Sequence, residues 1–227
     1  MRKKLFLLPL VLLLLGAGPH APIGPRKALS PRPGESVDIR YFEPGKLTGP
    51  GGKEFPVSVV TEPYAQRLFQ QMAEQTHIPF QYPEDGCYAR AHEMSRLLGK
   101  MGIQTGKVFV EGDLRVVTPH SPQGYVNWWY HVAPVLLVRI GKVDHVYVID
   151  PSIAKKAIPV SEWVAMQTGH RGGHSKETYQ TKPFVYQPYN KNEDLHDYKA
   201  EDIQAMKSTL ESYLAVQKAR QQPEKKK

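Results

Sequence analysis

A chain of 227 residues, 41% hydrophobic with 12 tyrosines, is long enough to bury one ordinary core and is not disordered throughout. The formal charge of +8 hints at nucleic acid, but Arg2, Lys3, Lys4 and Lys225, Lys226, Lys227 place six of those charges at the two ends. The body is nearly neutral and shows no aromatic-basic interleaving of the kind that stacks bases, so nucleic-acid binding is not expected.

The chain opens with "MRKK", a positive segment, followed by the apolar run "LFLLPLVLLLL" and the small residues of "GAGPHA". Residues 1–21 therefore read as a signal peptide, with the mature protein secreted or periplasmic. The apolar run is short for a bilayer and contains Pro9, so no stable membrane anchor is expected. Residues 22–56 are dense in proline and glycine and read as a linker or short pro-region, with a short strand conceivable at "SVDIRYF".

The folded unit is expected over 57–219, followed by a basic tail at 220–227. "TEPYAQRLFQQMAEQ" has Thr61 at an N-cap position and Tyr64, Leu68 and Met72 on one helical face. "CYARAHEMSRLLGKMG" begins a second helix at Cys87, with Ala91, Met94, Leu97 and Leu98 on one stripe. "KVFVEGDLRVV" reads as two β pieces about a Gly-Asp turn. "WWYHVAPVLLVRI" and "HVYVID" form a hairpin across "GKVD". "DPSIAKKAIPVSEWVAMQ" leads into a short helix, and residues 178–189 read as aromatic loop or strand. Ile203, Met206, Leu210, Tyr213 and Leu214 share a face of a terminal amphipathic helix. The fold class expected is α+β, an antiparallel sheet packed against the helix that carries Cys87.

Cys87 is the chain's only cysteine. In an exported protein a lone thiol is either buried and inert or used for its chemistry. At a helix start just after Gly86, free N–H groups and the positive end of the helix dipole favour a thiolate, while Glu84 and Asp85 oppose it unless Asp85 caps the helix. Gly86 would let a substrate approach closely. His131 stands in a strongly apolar run, and Asp150 closes the next strand, held extended by Pro151. In an antiparallel pair both lie at one end of the sheet, where the Cys87 helix could dock. The order Cys, His, Asp suits a thiol hydrolase of the papain or transglutaminase type. Trp128, Trp129 and Tyr130, beside the histidine, are candidates for a substrate groove or for core packing. His92 and Arg90 read as structural, with Arg90 answered by a local carboxylate. "HRGGH" at His170–His174 has a spacing a metal could use but lacks a convincing third ligand, so no metal is expected.

"YPEDGCYARAHEM", "WWYHVAPVLLV" and "VIDPSI" closely resemble the bacterial protein-glutamine glutaminases (protein glutamine deamidases). The resemblance runs from about Glu62 to Tyr213. It implies a nucleophile in DGCYARAH, a histidine in YHVA and an aspartate in IDPS, which are Cys87, His131 and Asp150 here. It further implies hydrolysis of glutamine side chains in proteins or peptides to glutamate with release of ammonia; the thiol mechanism needs no cofactor, and a monomer is expected. The chain departs from its secreted relatives in having no cysteines to pair and only a short stretch before Val57. The alternatives are a transglutaminase-like or cysteine peptidase activity on the same triad, or an inactive secreted binding protein on this fold.

Overall fold

The computed structural model describes residues 42–221; the expected signal peptide, most of the linker and the last six residues lie outside them. The element order is β1 (Gly45–Thr48), β2 (Glu54–Val57), β3 (Val59–Thr61), α1 (Glu62–Ala73), α2 (Cys87–Lys100), β4 (Gly106–Val117), β5 (Tyr125–Ile140), β6 (Val143–Val148), β7 (Ile158–Pro159), α3 (Val160–Thr168), β8 (His174–Thr181) and α4 (Ala200–Gln221). No helix among the described residues is long and apolar enough to cross a membrane.

The main sheet runs β7-β6-β5-β4-β8, with β3 pairing parallel to β5 and every other pair antiparallel. The mixed α and antiparallel β architecture expected from the sequence is therefore present. β5 is the spine, and it is buried on both faces, which is why "VAPVLLV" is continuously apolar rather than alternating. Leu136 and Val138 face a core built with Leu68, Met72, Met94, Leu98, Met206 and Leu210 of the three long helices. Ala133, Val135 and Leu137 face a second core closed by Trp163 of α3 and by the β1–β2 hairpin.

Several expectations are corrected. "KVFVEGDLRVV" is one strand, bulged at Gly112–Asp113 rather than turned, because β8 stays paired across the interruption. At Gly112 a Cβ would lie 2.1 Å from the His174 carbonyl oxygen, so the close approach requires glycine. Thr61 occupies the N-cap position of α1, but its side chain makes no capping bond. The tail expected from Arg220 onward begins later, since Arg220 and Gln221 still belong to α4.

The expected boundary at Val57 falls inside a hairpin. β1 pairs with β2, Leu47 and Phe55 are buried, and both side chains rest where Gly106 leaves room. Proline and glycine density concealed this element; Pro50–Gly52 form its connection, while Gly45 opens β1 and Pro56 is tolerated within β2. Phe55→Ala is therefore expected to destabilise the protein by about 3–5 kcal/mol. Urea unfolding checks this, and a change within experimental error would show that the hairpin is only draped over the domain.

Candidate active site

Cys87 is the first residue of α2 and is buried, 5% exposed, among Ala91, Phe109, Tyr130, Val132 and Val185. No side chain caps α2, so none competes for the N–H groups of its first turn. Gly86, immediately before, has φ 79° and ψ 13°, a left-handed conformation that glycine adopts without strain. A Cβ there would meet the Tyr213 ring of α4 at 2.7 Å. The space above Gly86 is thus filled by Tyr213, not left open for a substrate as the sequence suggested.

His131 lies in the middle of β5, not near its start. β6 pairs only with the far half of β5, from Val135 to Ile140, so the chain leaves the ladder before reaching His131. Asp150 follows just past the end of β6 and turns back toward the histidine. Its carboxylate Oδ2 accepts the His131 Nε2–H at 2.8 Å and the Trp163 Nε1–H at 3.0 Å. Oδ1 accepts the Ser152 N–H at 3.1 Å and the Ser152 hydroxyl at 2.5 Å. Behind this turn, Gln66 of α1 exchanges two hydrogen bonds with the backbone of Ala157.

Four donors explain why a fully buried carboxylate stays ionised. Burial alone pushes Asp150 up, but the His131 charge and hydrogen bond, with Ser152 and Trp163, bring it down to about 2. The same pair acts on His131: burial lowers it, Asp150 and then Cys87 raise it, and the net result is about 9. His131 Nδ1, the nitrogen not used by Asp150, has no hydrogen-bond partner of good geometry, and Cys87 is near enough to act on the ring both as a hydrogen-bonding group and as a charge. The imidazole is therefore addressed by a carboxylate at Nε2 and left with Nδ1 for the thiol.

Two indoles hold the ring in place. Trp128 stacks on His131 at 4.6 Å between centroids and 10° between planes, and Trp163 stacks at 5.3 Å and 23°. Trp128 Nε1–H also donates to the carbonyls of Pro83 and Glu84, tying the histidine strand to the loop before Cys87. Tyr130 is 9% exposed, and its hydroxyl donates to Gln187 Oε1 at 2.9 Å. Burial first, then the nearby Cys87, raise its pKa and keep it a phenol. Trp129 alone of the three candidate groove residues is open, 62% exposed.

The remaining candidates separate from this cluster. His92 Nδ1 lies 2.9 Å from Lys107 Nζ in the core, and Lys107 also donates to the Val185 carbonyl. Burial, then the Lys107 charge, hold His92 neutral, with its pKa near 2. Arg90 is buried and donates to the carbonyls of Tyr82 and Asp85, so backbone, not the expected carboxylate, answers it. His170 lies near Asp113, while His174 is exposed and faces the Gly172 carbonyl. Ser152 and Trp163 were not anticipated. The signals were there: serine two residues after aspartate is a turn pattern, and a buried indole N–H requires an acceptor.

Comparison with known proteins bears on the same residues. A family model described as Glutaminase matches residues 65–167, a span that contains Cys87, His131 and Asp150. The protein-glutaminase from Chryseobacterium proteolyticum, solved by NMR, is similar with a TM-score of 0.58 and 26% identity over 70% of this chain and 90% of that one. A crystal structure of protein-glutaminase gives 0.56 and 26% over 66% and 85%. A crystal structure of pro-protein-glutaminase gives 0.57 and 26% over 68% of this chain and 57% of that longer one. No curated protein matches.

Proposed function

Because residues 65–167 match a glutaminase family model and the fold is similar to that of solved protein-glutaminases, we propose that the chain is an exported thiol hydrolase converting protein-bound glutamine to glutamate and ammonia. The observation that carries the mechanism is the buried imidazole, with Asp150 on Nε2, Nδ1 unpartnered and Cys87 near enough to act on the ring. This core is read as the papain or transglutaminase type. Transfer of the thiol proton to His131 leaves a thiolate beside an imidazolium, and the buried Asp150 charge favours that pair. The thiolate attacks the side-chain carboxamide carbon, and the oxyanion that forms is held by free N–H groups at the start of α2. His131 returns the proton to the departing ammonia. Water, deprotonated by His131, then hydrolyses the thioester to glutamate and free thiol.

The aromatic residues divide the remaining work. Trp128 and Trp163 keep the imidazole in one plane, Tyr130 lines the floor beside the thiol, and Trp129 is free to contact a polypeptide. Reach past this rim favours glutamine over asparagine, which is one methylene shorter. Free glutamine would have to desolvate both its charged groups and should be poor.

The experiment compares a peptide with internal glutamine, its asparagine counterpart, free glutamine, and the glutamine peptide with a primary amine. Ammonia and one new negative charge are expected from the first, little from the second and third, and no amine adduct from the fourth. Efficient amine incorporation would make the protein a transglutaminase, backbone cleavage would make it a peptidase, and silence throughout would favour a binding role.

A further inference from the structure

The loop that delivers Cys87 is held almost residue by residue from α4. Arg220 Nη1–H donates to Glu84 Oε1 at 2.5 Å, and its guanidinium lies 4.8 Å from the Tyr82 ring centroid. The Tyr213 hydroxyl donates to Asp85 Oδ2 at 2.6 Å, its ring stacks on Tyr82 at 4.6 Å, and the same ring covers Gly86. Gln217 Oε1 accepts the Gln81 N–H at 2.9 Å, and Gln221 donates to Gln81 Oε1 at 2.7 Å. Residues 213, 217, 220 and 221 recur at helical spacing, so one stripe of α4 makes all these contacts. All four of these α4 residues lie outside the span matched by the family model.

Building on the thiol-hydrolase reading, we propose that Arg220 and Tyr213 are positioning residues of the thiol site, which engage the two carboxylates preceding Cys87 and fix the loop that carries it. Glu84 and Asp85 stand three and two residues before the thiol, and a free negative charge there opposes its ionisation. Asp85 spends one oxygen on the Gly86 N–H and the other on Tyr213; Glu84 is paired with Arg220. The other groups acting on or through Cys87 are Tyr88 on its own helix, Tyr130 and His131 of β5, and Lys107 of β4, with Asp150 behind His131. None of these contacts Arg220, whose partners are Glu84 and the Tyr82 ring, so the Glu84→Gln background separates the carboxylate from the ring contact. As a part-exposed ion pair, Arg220–Glu84 adds little to stability. Its effect is expected at the thiol.

The lone cysteine makes the test direct, because iodoacetamide labels one site whatever the substrate proves to be. Alkylation rate is followed against pH, together with thermal melting. Arg220→Ala should move the acid limb of the profile up by about half a unit and slow labelling on that limb about threefold, with melting nearly unchanged. Tyr213→Phe should shift it in the same direction, and Arg220→Lys should restore the parent profile. In a Glu84→Gln background Arg220→Ala should add no further shift. A parent-like profile for Arg220→Ala, or an equal shift in the Glu84→Gln background, would overturn the proposal and leave α4 as packing alone. If the shifts appear but no glutamine substrate releases ammonia, the positioning role stands and the deamidase reading falls.

Discussion

Replacing Cys87 by serine is expected to leave a folded protein that releases ammonia at least about a thousandfold more slowly. Only a sulfur nucleophile ionises readily beside His131. An imidazole with a pKa of about 9 is well matched to taking a thiol proton and poorly matched to taking one from an alcohol. Serine fits the space left by the buried sulfur with little change in volume, so melting should move by no more than a few degrees. Ammonia release, melting and the mass increment after alkylation together check this. Full turnover in a Cys87→Ala protein would remove the thiol from the mechanism.

Asp150→Asn is the second large expected effect, a loss in rate of about 10⁴-fold, the scale seen when the orienting aspartate of a serine-protease triad is changed in the same way. The carboxylate accepts four hydrogen bonds, and an amide has one oxygen to offer. Its NH₂ group would face a donor, either the His131 N–H or the Ser152 pair, so the ring loses its charge partner and its fixed tautomer. Stability should fall by about 1–3 kcal/mol. The pH dependence should change as well. His131 is raised from 6.5 to about 9, so its contribution is full below 6.5 and lost as pH rises through about 9. Asp150 is lowered from 3.8 to about 2, so its contribution is present above 3.8 and lost as pH falls toward 2. The parent protein should therefore weaken toward pH 9, and Asp150→Asn should flatten that alkaline slope. Asp144, paired with Arg139 on the surface, is the control, and Asp144→Asn should alter the rate little. If Asp144→Asn proved damaging and Asp150→Asn harmless, the assignment of the aspartate would be wrong.

The acid-side neighbours of the thiol show how local reasoning can be right in kind and incomplete. Glu84 and Asp85 were recognisable as opposing a thiolate from spacing alone, unless Asp85 resolved the conflict by capping α2. Instead it binds the Gly86 N–H and Tyr213, and Glu84 binds Arg220. Both partners come from α4, more than 120 residues away in the chain. Nothing in the local sequence names them.

Short-range chemistry was determined by the sequence itself. The start of α2 at Cys87, the apolar stripe of that helix and the hairpin that joins β5 to β6 all follow from periodicity and turn residues. So did the resemblance to the protein-glutaminases, through three motifs in order. The tertiary structure alone decided which surfaces those elements meet. Trp163 and Ser152 complete the Asp150 carboxylate because a buried charge needs donors from wherever the chain can bring them. The β1–β2 hairpin belongs to the core because Gly106 leaves room for Phe55 and Leu47. Of the three aromatics beside His131, packing turned Trp128 onto the imidazole, buried Tyr130 and left Trp129 open. Periodicity records that a side chain is apolar and which way it alternates. Its partner is set by the global docking of helices on the sheet, a long-range property that no local window contains.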